Sequence, residues 1–267
     1  MIAAVAQMTS SDDLARNLEK AAELIAAAAQ AGAELVALPE NFALMLEADA
    51  GPSPAAQGPD GAIIEFLRDQ AKRHSILLAG GTIPERIPGD TRQFNTSLLF
   101  AADGTLLASY RKIHLFDVAL RDASFQESRT VAPGEEVVVA ETRTGPIGLS
   151  VCYDVRFPEL YRALAERGAR ILLVPAAFTV PTGRDHWQVL LRARAIENQA
   201  FVLAAAQYGR HNQTRRSFGR SMIIDPWGIV LATVPDGEGI GLAELDFAVL
   251  ERIRRELPAL RHRRLHP

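Results

Sequence analysis

The chain has 267 residues, enough for one large domain or two small ones, and 48% are hydrophobic, so a sizeable core can be buried. A net charge of -3 gives no reason to expect a nucleic-acid partner, although Arg261-His-Arg-Arg264 is locally basic. One cysteine excludes an internal disulfide and fits a reducing compartment, and no apolar run approaches the ~20 residues that span a bilayer. Ile2 to Gln7 is too short for a signal-peptide core and has no basic flank, so the expected setting is cytoplasmic, with no membrane partner.

Ile2 to Gln7 reads as an opening strand. Asp12 or Asp13 caps a helix whose apolar face is Leu18, Ala21, Ala22, Ile25, Ala28 and Ala29, and Gly32 ends it. Leu35 to Leu38 is a short buried strand stopped by Pro39, which leaves Glu40 at its exit. Sites in α/β sheets gather at such exits, whereas a loop glutamate elsewhere is ordinary surface. Residues 48–61 form a loop rich in Pro, Gly and Ala. Ile63, Ile64, Leu67 and Ala71 mark a second helix, and Ile76 to Ala79 a strand closed by Gly80-Gly81. Asn95 to Phe100 and Thr105 to Tyr110 flank Ala101-Ala-Asp-Gly104, a hairpin signal. The second of these strands runs into Lys112, either a solvated lysine or a cation at another strand exit.

Phe116 to Pro133 is a long polar segment without period, and long ordered loops are often functional. Glu136 to Ala140 is a strand. Ile147 to Val151 is another, and it delivers Cys152 to a turn just before Pro158, a residue suited to the first turn of a helix. Leu160 and Leu164 continue that helix to Gly168. Ile171 to Val174 is a buried strand. Gly183 to Gln199 is helical, Phe201 to Ala206 a strand, and Gly209 to Ser217 a basic polar loop. Ser221 to Ile224 and Ile229 to Thr233 are strands joined by the turn Asp225-Pro-Trp-Gly228. Ile240 to Leu245 and a helix over Phe247 to Glu256 complete the chain. Ten to twelve strands alternate with helices, which reads as α/β. No linker divides them, so residues 1–267 are expected to form one domain.

A lone thiol at a strand-to-helix turn is either a packed small hydrophobe or an activated nucleophile with backbone N–H groups beside it. Glu40, Lys112 and Cys152 together supply a proton acceptor, an oxyanion partner and a nucleophile for acyl transfer. His186, at a helix start beside Trp187, is the histidine best placed to serve the thiol, and a packing role is its other reading. No zinc-ligand spacing, phosphate loop or dinucleotide fingerprint is present, so neither metal nor cofactor is expected.

The segments Leu38-Pro-Glu-Asn41, Tyr110-Arg-Lys-Ile-His114 and Val151-Cys-Tyr-Asp-Val-Arg-Phe-Pro-Glu159 resemble, in order and spacing, the signature blocks of the nitrilase superfamily of carbon–nitrogen hydrolases. The resemblance covers essentially the whole chain. It implies a four-layer αββα sandwich of two mixed sheets. It also implies a catalytic Glu40–Lys112–Cys152 triad, with Glu127 of Phe125-Gln-Glu-Ser128 as a second glutamate. The backbone N–H of Tyr153 would help to hold the oxyanion. The segments Ala177-Phe-Thr179, His186 to Asn198 and Ala204 to Gln207 are similar to the branch that hydrolyses deaminated glutathione. Gly219-Arg-Ser221 departs from it, because that branch usually has histidine where Arg220 stands. Related readings are an ω-amidase on 2-oxoglutaramate or 2-oxosuccinamate, a nitrilase, an N-carbamoyl amidohydrolase, or a scaffold without activity. A small 2-oxo acid amide calls for a cation in the pocket. Arg156 is one candidate and Arg215 or Arg216 another, with Phe178 and Thr179 as further substrate contacts. The family also implies a homodimer or larger homo-oligomer, with the helix carrying Arg192 and Arg194 as a candidate contact.

Overall fold

The computed structural model describes residues 1–120 and 123–265. Eight strands form the first sheet: β1 (Ile2–Met8), β2 (Leu35–Ala37), β3 (Leu77–Arg86), β4 (Gln93–Phe100), β5 (Leu106–Arg111), and, from late in the chain, 206–210, 216–218 and 239–244. The hairpin β6 (Asp117–Leu120) and β7 (Ala123–Gln126) stands apart. The second sheet holds β8 (Val139–Ala140), β9 (Ile147–Leu149), β10 (Ile171–Leu173), β11 (Phe201–Ala204), 222–224 and 230–233. In chain order the late strands are β12 (Ala206–Arg210), β13 (Arg216–Phe218), β14 (Met222–Ile224), β15 (Val230–Thr233) and β16 (Gly239–Glu244).

Strand β1 shows how the layers arise. Ala3 and Val5 face the second sheet, whereas Ala4, Ala6 and Met8 face the helices α1 (Leu14–Gln30) and α2 (Ala62–His74). A strand covered on both faces is a continuous apolar run, and period 2 only sorts its residues between two cores. On the far side, α3 (Pro158–Glu166) and the later helix over Gln188–Asn198 cover the second sheet with Leu160, Leu164, Leu191 and Ala195. The result is the αββα sandwich. Each fully buried aliphatic side chain in it contributes about 1.5–3 kcal/mol. Asp13 caps α1 by accepting from the Arg16 N–H, Gly32 follows at φ 88°, and Pro158 opens α3. Among the described residues, no helix is long and apolar enough to cross a membrane.

Four expectations change. Gly80-Gly81 does not close a strand: β3 continues to Arg86 through a register shift between Ala79 and Thr82. Gly81 sits at φ 58°, and a Cβ there would lie 2.1 Å from the Pro39 carbonyl oxygen. The glycine makes a bulge and admits the backbone that carries Glu40. Phe201 to Ala206 is not one strand either. The chain leaves the second sheet at Ala204 and enters the first at Ala206, where β12 pairs in parallel with β1. The polar loop after it is largely the β12–β13 hairpin. Finally, the aperiodic segment from Phe116 contains the β6–β7 hairpin and a 3-10 turn over Glu127–Arg129, although residues 121 and 122 lie outside the described ones.

Candidate active site

Glu40 leaves β2, and Lys112 leaves β5 in the same sheet. Cys152 follows β9 and Ala177 follows β10 in the other sheet. All four meet at one end of the sandwich, and Glu40, Lys112 and Cys152 are each at least nine-tenths buried. The Lys112 ammonium donates to Glu40 Oε1 at 3.1 Å and to Glu127 at 3.0 and 2.8 Å. Burial opposes its charge, but the carboxylates of Glu127 and Glu40 outweigh that and hold its pKa well above the ordinary lysine range.

Glu40 is fixed by donors on both oxygens. Asn95 Nδ2 reaches Oε1 at 2.9 Å, and the Ala177 N–H reaches Oε2 at 2.9 Å. Its carbonyl accepts from Gln207 Nε2 at 3.0 Å. The second glutamate, Glu127, also accepts from the Phe116 N–H at 2.7 Å, which pins the β6–β7 segment to Lys112.

Cys152 has φ 48°, an uncommon conformation for a residue with a side chain, and such strain costs about 1–3 kcal/mol. Its N–H donates to the Pro175 carbonyl at 2.9 Å, which holds the turn. Burial, and then the negative charge of Glu40, push the thiol well above its ordinary pKa, with Lys112 pulling the other way. The resting group is therefore a neutral thiol beside a carboxylate.

Asp154, two residues on, is fully buried and has no counterpart among the residues expected from sequence. It accepts from the Tyr110 hydroxyl at 2.7 Å, the Val151 N–H at 2.8 Å and the His114 N–H at 3.0 Å, and it meets His114 Nδ1 at 2.7 Å. One carboxylate thus ties the strand that presents Lys112 to the turn that presents Cys152. His114 stacks on Phe157 with ring centroids 3.7 Å apart. Burial and the adjacent Asp154 keep the Tyr110 phenol well above its ordinary pKa, so it stays a donor.

A cavity of about 600 Å³ opens over these groups. Arg156, Phe178, Thr179 and Arg215 all line it, and so does Arg129, which sequence reasoning missed. Arg156 lies over the Tyr153 and Phe178 rings at 5.7 and 5.3 Å, and its Nη1 is 3.2 Å from His186 Nδ1. His186 is exposed and does not line the cavity, so it is not the partner of the thiol. It sits in a π-helical turn, Gly183–Trp187, between residues 180–182 and the helix over Gln188–Asn198. Arg216 is exposed on β13 and Arg220 pairs with Asp236 at 2.9 Å; neither lines the cavity. Arg194 is buried, donating to the Val155 carbonyl at 2.9 Å and to Glu197 at 2.7 Å, which removes it as a contact for another subunit. Among the described residues, no group of three or more His, Cys, Asp or Glu side chains is arranged to hold a metal ion.

The family model described as Carbon-nitrogen hydrolase matches residues 2–255. A protein from Synechocystis named deaminated glutathione amidase is 46% identical, over 98% of this chain and 97% of its own. The crystal structure of the Caenorhabditis elegans NitFhit protein superposes with a TM-score of 0.89 at 40% identity, over 98% of this chain and 65% of that one. An amidase from Nesterenkonia sp., crystallised with acrylamide added to its active-site cysteine, superposes at 0.78 with 29% identity, over 97% of this chain and 98% of that one.

Proposed function

The chain belongs to the carbon–nitrogen hydrolase family, and on that premise we propose that it is a thiol amidase cleaving deaminated glutathione to 2-oxoglutarate and cysteinylglycine. The observation that carries this reading is the convergence of Glu40, Lys112 and Cys152 on one cavity, in a chain whose full-length relatives bear that amidase name.

In the proposed cycle, the Glu40 carboxylate takes the Cys152 proton as sulfur attacks the amide carbon. Lys112 Nζ and the Tyr153 N–H hold the oxyanion; removing one such donor typically costs about 10²–10³ in rate. The C–N bond breaks as protonated Glu40 returns its proton to the departing amine. Water, deprotonated by Glu40, then hydrolyses the thioester, and the proton goes back to sulfur. Glu127 holds Lys112 in place. Arg156 takes the 2-oxo acid carboxylate, with Phe178 and Thr179 lining the acyl pocket. Arg220, the departure from the branch pattern, lies away from the cavity and does not weigh against this substrate.

Mass-spectrometric detection of 2-oxoglutarate tests the reading. Deaminated glutathione should be turned over faster than 2-oxoglutaramate, and Cys152→Ala should be folded and inactive. The reverse preference would make the enzyme an ω-amidase, and turnover by Cys152→Ala would refute the mechanism. A homodimer belongs to the same proposal. Val189, Ile196, Trp227 and Ile229 form an exposed apolar face, joined where Ile196 packs on Gly228. A monomer by light scattering at micromolar concentration would remove it.

A further inference from the structure

The charges lining the cavity do not balance for an anionic substrate. Lys112 is spent on two carboxylates, Glu40 and Glu127, so the catalytic cluster with a neutral thiol carries a net negative charge. Deaminated glutathione brings two more carboxylates, one on the 2-oxo acyl group and one at the far end of the leaving amine. Each needs its own cation in a site of low dielectric.

Arg215 is placed for the second of these. The β12–β13 hairpin carries it into the lining of the cavity, beside Met45. Burial lowers the pKa of its guanidinium, and the carboxylates of Glu127, Glu40 and Glu47 partly restore it. Yet among the described residues Arg215 makes no ion pair; its Nη1 reaches only Met45 Sδ at 3.9 Å, and its buried Nε has no partner. The nearby carboxylates are already engaged. Glu40 and Glu127 bind Lys112, Asn95 and backbone N–H groups. Glu47 takes the N–H groups of Gln213 and Thr214 at 3.1 and 3.0 Å, together with the Thr214 hydroxyl. Glu47 therefore fastens the hairpin without covering the guanidinium that the hairpin presents. A half-buried guanidinium with a fully buried Nε left unpaired by its own protein is expected to be paired by a ligand.

The side of the substrate follows from the proton path. Glu40 must protonate the departing nitrogen, so the leaving amine lies against Glu40, and Arg215 lines the same cavity beside Met45, on a different element from the cysteine turn. Arg156 instead shares the turn of Cys152 and covers Tyr153, on the acyl side. We infer that Arg215 is a specificity residue that binds the terminal carboxylate of the leaving amine, so that the enzyme selects amides of carboxylate-bearing amines. This rests on the amidase reading above.

The test compares kcat/KM for deaminated glutathione and for its analogue with the glycine carboxylate converted to an amide, both read as 2-oxoglutarate release. The wild type should favour the free acid by about 10²-fold. Arg215→Met should bring the two within a few-fold, and Arg156→Met should keep the preference while slowing both. A ratio on one protein sample is independent of the fraction correctly folded, so partial misfolding does not blur the result. A preference surviving in Arg215→Met, or none in the wild type, overturns the inference. No turnover of either compound by the wild type overturns the amidase reading itself.

Discussion

On the Cys152 wall, Asp154 is fully buried and joins two chain segments through four contacts from Tyr110, His114 and Val151. Glu47, elsewhere in the cavity lining, is only partly buried and fastens one loop to one hairpin. Both are carboxylates that hold a strand end or a hairpin in place for the cavity. The first acts where water is excluded and a lost acceptor strands several donors. The second acts where water can replace it. The contrast matches the tasks. The reacting atoms need positions fixed to fractions of an ångström, whereas the mouth has to admit and release a substrate.

The sharpest way to break this comparison is Asp154→Ala. It leaves the Tyr110 hydroxyl and the Val151 and His114 N–H groups without their acceptor, and should cost about 3–5 kcal/mol. For a chain of this size that lowers the unfolding midpoint by roughly 10 °C, with activity lost in parallel. A midpoint within a degree of the wild type would place Asp154 on the same footing as Glu47. Glu47→Ala should act less and elsewhere: the fold keeps its midpoint, while KM for deaminated glutathione rises several-fold with little change in kcat. A fall in kcat alone would mean that the mouth reaches the reacting atoms.

The smallest effect is on pH. Hydrogen bonds from Thr214 hold Glu47 below the ordinary glutamate range. A carboxyl depressed in the folded state contributes above its unfolded pKa of about 4.3, and that contribution fades as pH falls through the lower folded value. The KM of the wild type should therefore rise at the acid end, below the ordinary glutamate range, while Glu47→Ala shows no such rise. A parallel rise in both proteins would assign it to another group.

The same two walls differ in how far they could be read from sequence. Glu40, Lys112, Glu127 and Cys152 stand in short blocks whose order survives in the linear chain, so their meeting was expected. Asp154 was not, although it lies within one of those blocks. Its donors Tyr110 and His114 are some forty residues upstream, and nothing local marks an aspartate as the knot between two sheets. Gly80-Gly81 was misread because a glycine pair marks strand ends and bulges alike; only the approach of the Pro39 carbonyl separates them. The step from β11 to β12 was hidden because an apolar run keeps its composition while changing sheets. On the mouth wall, Arg215 was one of several basic residues in a polar stretch. Its distinction from Arg216 is only a matter of which face of a short hairpin each occupies.

The Asp154 knot has one more consequence. It joins Tyr110 and His114 of the first half of the chain to Val151 of the second, so neither half can assemble the centre alone. Glu40 and Lys112, the charges that surround the Cys152 sulfur, also come from the first half, so the environment of the thiol exists only once both halves are docked.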